Sequence, residues 1–215
     1  MNECINITDE NLEDIVKDIE DDVKYGPENK IIDEALKKFP QNTDKSIVAM
    51  KISLIDLTNG TNLFRNLGTT GGLNKLAEKI TKINFDEQVK AGNLELVEEL
   101  AKWTKVEIGK NLFSFISKYC LYHNVHCYNR DDYAIYDSVM CENLHKYITD
   151  KEYSELTGER LRKNSFTKLK ETYRYREYVD IINFIIKKNN ISVDNPRRKL
   201  DWLIWYPNRK NNRKM

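Results

Sequence analysis

No stretch of this chain approaches the roughly 20 apolar residues that a helix needs to cross a bilayer. The acidic opening MNECINITDENLED also lacks the basic and apolar regions of a secretory leader. Those two absences predict a cytoplasmic protein with no membrane partner. Cysteine is scarce: Cys4, Cys120, Cys127 and Cys141 show no disulfide-framework spacing, which fits reduced thiols. There is no convincing strand alternation, no internal repeat and no obvious linker. What is present is 215 residues, 40% of them hydrophobic, enough for one large domain or two small ones around a core. A net charge of +1 does not mark a nucleic-acid binder by bulk charge. The distribution is uneven, with net −9 over residues 1–36 and net +6 over 197–215. Such asymmetry predicts different partners for the two ends, or a contact between them.

Helical periodicity runs nearly throughout. Leu12, Ile15, Ile19 and Val23 recur at helical spacing, with Gly26-Pro27 as the stop. Ile31, Ile32, Ala35, Leu36 and Phe39 mark a second helix, ended by Pro40. Thr43 is placed to cap a third, with Ile47, Met50, Leu54 and Leu57 inside and Asn59-Gly60 as its close. LGTTGG, residues 67–72, reads as a loop. Leu73, Leu76, Ala77 and Ile80 mark a fourth helix, and Leu96, Val97, Leu100 and Ala101 a fifth. Gly109 is a turn residue ahead of a stripe of Leu112, Phe115, Ile116 and Tyr119. Thr149 and Glu152 have capping-box spacing. Residues 166–188 read as one long helix; Asn195-Pro196 opens the last, and Pro207 ends it. The predicted class is all-α, with about nine or ten helices at typical lengths. The predicted organisation is an acidic helical segment, 1–42, a main domain, 43–206, and a basic tail, 207–215.

Two charges stand out. Lys118 lies in the apolar stripe FISKYCLYHN and must snorkel, pair or lose its proton easily. A neutral lysine amine is a nucleophile able to form a Schiff base. Asp137, in YAIYDSVM, stands where a helix N-cap belongs, before Val139, Met140 and Leu144. A carboxylate fixed there stays ionised and can stabilise positive charge on a reacting sugar. The plain structural reading is a capping aspartate and a snorkelling or salt-bridged lysine.

The order helix, turn, helix with lysine, loop, short apolar run, Asp and further helix resembles the helix-hairpin-helix DNA glycosylases. FSFISKYCLYHN, YAIYDSVM and the late RRKLDWLIWY resemble most the bacterial proteins with an 8-oxoguanine glycosylase-like fold. The resemblance spans about residues 45–206 loosely and 93–147 more closely. It implies a glycosylase fold and DNA as partner. It also implies excision of a modified base, with Lys118 attacking the sugar C1′ and Asp137 stabilising the cationic sugar. Tyr119, Tyr122, Tyr133 and Tyr136 become candidate pocket aromatics, and Trp202 and Trp205 candidate stacking residues, each with a core role as the alternative. The superfamily hairpin carries glycines, as in L-P-G-x-G, immediately before its lysine. Here that place reads LFSFISK, and the nearest turn glycine is Gly109, in EIGKN, which makes Lys110 a rival phosphate-binding lysine. No four-cysteine iron–sulfur cluster is present, and no cofactor is expected.

Other signals carry less. Cys120, His123, His126, Cys127, Cys141 and His145 contain helix-spaced pairs, but no CxxC or HExxH pattern, and no metal is expected. Arg160, Arg162 and Lys163, with Lys168 and Lys170, form a basic stretch that with Lys110 suits phosphate contacts. The tail residues Arg209, Lys210, Arg213 and Lys214 suit them too. YRYREY, 173–178, interleaves aromatics and arginines as a single-strand binder does. The rival to a glycosylase-like DNA-binding enzyme is a non-catalytic helical module for nucleic acid, or for a protein partner met through the acidic N-terminal segment.

Overall fold

The computed structural model describes residues 4–61, 63, 67 and 71–211. Residues 68–70 of the predicted loop, the side chains of Arg209 and Lys210, and residues 212–215 of the tail lie outside the described residues. Among the described residues the protein is all-helical, with no strand. Among the described residues twelve α-helices are bounded, against the nine or ten expected from the sequence. They are α1 (Asp9–Glu20), α2 (Tyr25–Lys38), α3 (Lys45–Asn59), α4 (Gly72–Lys82), α5 (Phe85–Lys90) and α6 (Glu95–Glu107). α7 (Phe113–Tyr128), α8 (Ser138–Asn143), α9 (Asp150–Thr157), α10 (Ser165–Glu171), α11 (Tyr175–Lys188) and α12 (Pro196–Asn211) follow, and a 3₁₀ turn, Leu144–Lys146, succeeds α8. None of the helices in the described residues is long and apolar enough to cross a membrane.

The chain forms two compact units: Met1–Asp22 with Ala134–Met215, and Val23–Tyr133. The sequence partition at residues 42/43 and 206/207 follows charge, whereas the units follow contacts. In the discontinuous unit α1 packs on α12, burying Leu12, Ile15 and Ile19. Polar bonds join the same ends: Lys199 Nζ to Glu13 at 2.6 Å and Tyr206 OH to Asp22 at 2.8 Å. The uneven charge therefore places an acidic helix against a basic one. α8 packs on α10 and α12, and α11 packs on α9, α10 and α12.

In the continuous unit α7 is central, contacted by α2, α3, α5 and α6. Every residue from Phe115 to Asn124 is buried. A helix buried all round has no single apolar stripe, so the four-residue stripe of the sequence reading undercounts it.

Several local readings change. α1 ends at Glu20 and Val23 is 94% exposed, so Gly26-Pro27 opens α2 and does not stop α1. Asp44, not Thr43, caps α3, accepting the Ser46 and Ile47 N–H groups at 2.7 and 3.0 Å. α3 also buries another face: Val48, Lys51, Ile52 and Ile55 point inward, while Met50 and Leu57 are exposed. The predicted helix over 166–188 is two helices. Tyr173 takes a left-handed conformation (φ +56°), with Arg174 N–H bonded to Leu169 O at 2.8 Å and Tyr173 N–H to Lys170 O at 3.4 Å. That is the double bond of a left-handed helix stop. Pro207 lies inside α12 and does not end it.

Candidate functional site

The break at Tyr173 lets α11 begin with Tyr175 and Tyr178 turned toward the segment that carries Asp137. Tyr175 OH donates to Ala134 O at 2.6 Å and accepts the Ala134 N–H at 2.9 Å. Tyr178 OH donates to Ile135 O at 2.5 Å. These hydroxyls satisfy backbone groups that lie outside any helix. Tyr175 and Tyr178 of YRYREY are thus buried braces. Asp137 follows as the N-cap of α8, accepting the Met140 N–H at 3.0 Å, and is 9% exposed. Tyr136 packs edge-on against Tyr178 and donates to Phe166 O at 2.8 Å. Trp202 is half-buried under the Arg198 guanidinium, 4.6 Å from its ring, and Arg198 in turn bonds Asp201 at 3.2 Å. Arg160, Arg162 and Lys163 are exposed ahead of α10, Arg160 lying 3.6 Å from Asp150.

The other candidates lie in the continuous unit. α6 and α7 pack as a helical hairpin joined by Ile108–Leu112. Thr104 organises the turn. Its carbonyl accepts the Ile108 and Lys110 N–H groups at 3.0 and 3.3 Å, and its hydroxyl accepts the Leu112 N–H at 3.2 Å. Gly109, the turn residue, sits at φ +77°, exposed, with nothing within 4 Å of where a Cβ would stand. Lys110 beside it is exposed as well. Lys118 is nine residues further on, the sixth residue of α7, and 6% exposed. The hairpin turn is therefore at Gly109 and is displaced from the lysine. Tyr119 and Tyr122 are buried, their hydroxyls donating to Asn42 Oδ1 at 2.7 Å and Asn59 Oδ1 at 2.9 Å. Lys118 belongs to this unit and Asp137 to the other.

The structure adds a site that the sequence reading missed. A cavity of about 490 Å³ opens between the 40–43 segment, the end of α4, α5 and Tyr128. Asn42 and Asp86 form its wall. Asn42 donates its backbone N–H to Asp86 Oδ2 at 2.8 Å and its amide to Oδ1 at 2.6 Å. Lys51, fully buried, stands behind it, donating to Gln41 O at 3.0 Å and meeting His123 Nε2 at 3.2 Å. His123 Nδ1 is 2.8 Å from Tyr119 O. A carbonyl can only accept, so Nδ1 carries the proton and Nε2 receives the lysine's bond. Burial pushes the Lys51 ammonium down to about 8, opposed by Cys127 and Asp86. Burial, then the lysine's charge, holds His123 well below the usual imidazole range. The Cys127 thiol is pushed up to about 11 by burial. Among the described residues no group of three or more His, Cys, Asp or Glu side chains is placed to hold a metal. Lys51 interrupts the stripe Val48, Ile52 and Ile55. That is the same signal that singled out Lys118, carried by a helix face the sequence reading did not choose.

Together these features define an all-helical protein with an open glycine turn on a helical hairpin and a polar cavity braced by a buried lysine. Residues 11–131 match the family described as HI_0787_N, N-terminal domain, and the chain belongs to that family. The match takes in the hairpin, the cavity and Lys118, and ends before Asp137. No curated protein and no solved structure matches the chain.

Proposed function

We propose that the chain binds DNA through the α6–α7 hairpin and acts on it as a glycosylase-like enzyme. The observation that supports the binding half is the turn at Gly109. Among the described residues no backbone bond is made from its N–H, nothing stands within 4 Å of where a Cβ would be, and an exposed lysine follows it. A DNA phosphate can approach such backbone closely, with Lys110 as a point charge.

For the excision half, Lys118 supplies the amine. Its lone pair forms a bond to C1′ as the bond from C1′ to the base breaks, and the departing base keeps that electron pair and takes up a proton. Asp137 offsets the positive charge on the sugar. Loss of a proton from the attached nitrogen and opening of the sugar ring give an imine. The placement of Lys118 inside an all-round buried helix favours a second reading, a DNA-binding module without excision.

Binding is tested by anisotropy titrations on duplex DNA across a salt series. Affinity is expected to fall steeply with salt, and Lys110→Gln to reduce the log–log slope by about 1. Gly109→Ala weakens binding at every salt concentration. Salt-independent binding, or a slope unchanged in Lys110→Gln, contradicts the hairpin as the contact.

A further inference from the structure

We propose that the cavity beside α5 is a binding site for a small organic cation, an amidinium or primary amine carried on a compact apolar body. Its volume, about 490 Å³, falls in the range of small-molecule sites, roughly 300–1,000 Å³. The site is independent of the DNA reading, since every residue that builds it lies in the continuous unit.

Its apolar lining is Pro40, Ile80 and Phe85. Phe85 is locked by edge-on contacts to Tyr119 and His123, with ring centres 5.3 and 5.5 Å away. Its polar wall is Asp86, whose two oxygens are held by two N–H donors of Asn42. Asn42 is itself oriented by the Tyr119 hydroxyl, and the neighbouring Gln41 by Lys51. The carboxylate is therefore preorganised by groups from one loop and two helices, α3 and α7.

Neutral donors orient a carboxylate without neutralising it. Asp86 makes no ion pair among the described residues, and neither does Glu87, the next lining residue. Lys51, behind the wall, bonds a carbonyl and an imidazole and interacts with the Asp86 charge without forming an ion pair with it. Lys90 also lines the cavity and is exposed like Glu87, so the charged lining is two carboxylates to one ammonium. That excess of negative charge over an apolar floor repels a phosphate and suits a cationic head with a flat or short apolar body.

The test uses the full chain, labelled with ¹⁵N, and benzamidine, with its neutral isostere benzamide and inorganic phosphate as controls. Benzamidine is expected to shift the amides of residues 41–43 and 84–90 saturably, and benzamide at least about tenfold more weakly. Glu87→Gln, at an exposed position, is expected to weaken benzamidine several-fold, and Asp86→Asn more. Because Asp86→Asn also loosens Asn42, Glu87→Gln alone suffices as the variant. The proposal is overturned if no saturable shift occurs at these amides up to about 10 mM. Equal binding of benzamide, indifference to Glu87→Gln, or phosphate shifting the same amides also overturns it.

Discussion

Lys51 makes the sharpest prediction at the scale of single residues. Its folded value of about 8 lies below its ordinary 10.5, so between those values the unfolded chain holds a proton that the folded chain has released. Stability therefore rises with pH across that window, and the penalty for burying the charge is fully present below pH 8. The window is worth about 3 kcal/mol. Tyrosines and cysteines titrate nearby, so the quantity to measure is the difference between wild type and Lys51→Met in urea unfolding from pH 7 to 11. That difference should move in favour of wild type by about 3 kcal/mol; a flat difference contradicts the assignment. His123 is buried neutral, its pKa lowered from 6.5. The unfolded imidazole takes a proton below 6.5, so stability falls as pH drops through that value, and His123→Gln should flatten that limb. Lys51, like Lys118, is a lysine within an apolar stripe. It is hidden in the sequence because α3 offers two apolar faces, and Ile47, Met50, Leu54 and Leu57 make the one without a charge. Gln41 O and His123 Nε2 await the amine on the other, and no local pattern reveals a partner 72 residues away.

Among the elements, the α6–α7 hairpin depends on Thr104, wholly buried and bonded to three backbone N–H groups of the turn through its carbonyl and hydroxyl. Thr104→Val keeps the volume but leaves the Leu112 N–H without its acceptor, an expected loss of about 1–3 kcal/mol. Thr104→Ser should recover most of it, and chemical denaturation distinguishes the two. Equal stability of Val and Ser variants contradicts this account of the turn. Signals confined to one turn of helix were legible in the sequence. The Asp137 cap and the Thr149–Glu152 box stand where their spacing put them, and Gly60 closes α3 in the left-handed conformation. The break at Tyr173 was not legible, because tyrosine is not a residue that favours positive φ. The demand for it comes from Tyr175 and Tyr178, whose hydroxyls must reach Ala134 and Ile135.

For the molecule as a whole, the opposite charges of the two ends were readable, and their meeting was one of two readings the composition allowed. The division into units was not readable, because charge changes along the chain at other positions than contacts do. α1 belongs with α8–α12, more than 110 residues later in the chain. Its apolar face should matter more than its charges. Leu12→Ala, at a position with no exposure, should destabilise by about 2–5 kcal/mol. Lys199→Ala, which removes the bond to the half-exposed Glu13, should change stability by less than about 1 kcal/mol. Thermal unfolding of both variants checks the ranking, and the reverse order contradicts it.

The claim on which the functional account rests is met most directly by borohydride trapping of the full chain on a duplex carrying one abasic or oxidised-base site. The account predicts a covalent adduct that peptide mapping places on Lys118, absent in Lys118→Gln and strongly reduced in Asp137→Asn. No adduct on any such duplex, or one that survives Lys118→Gln, contradicts it.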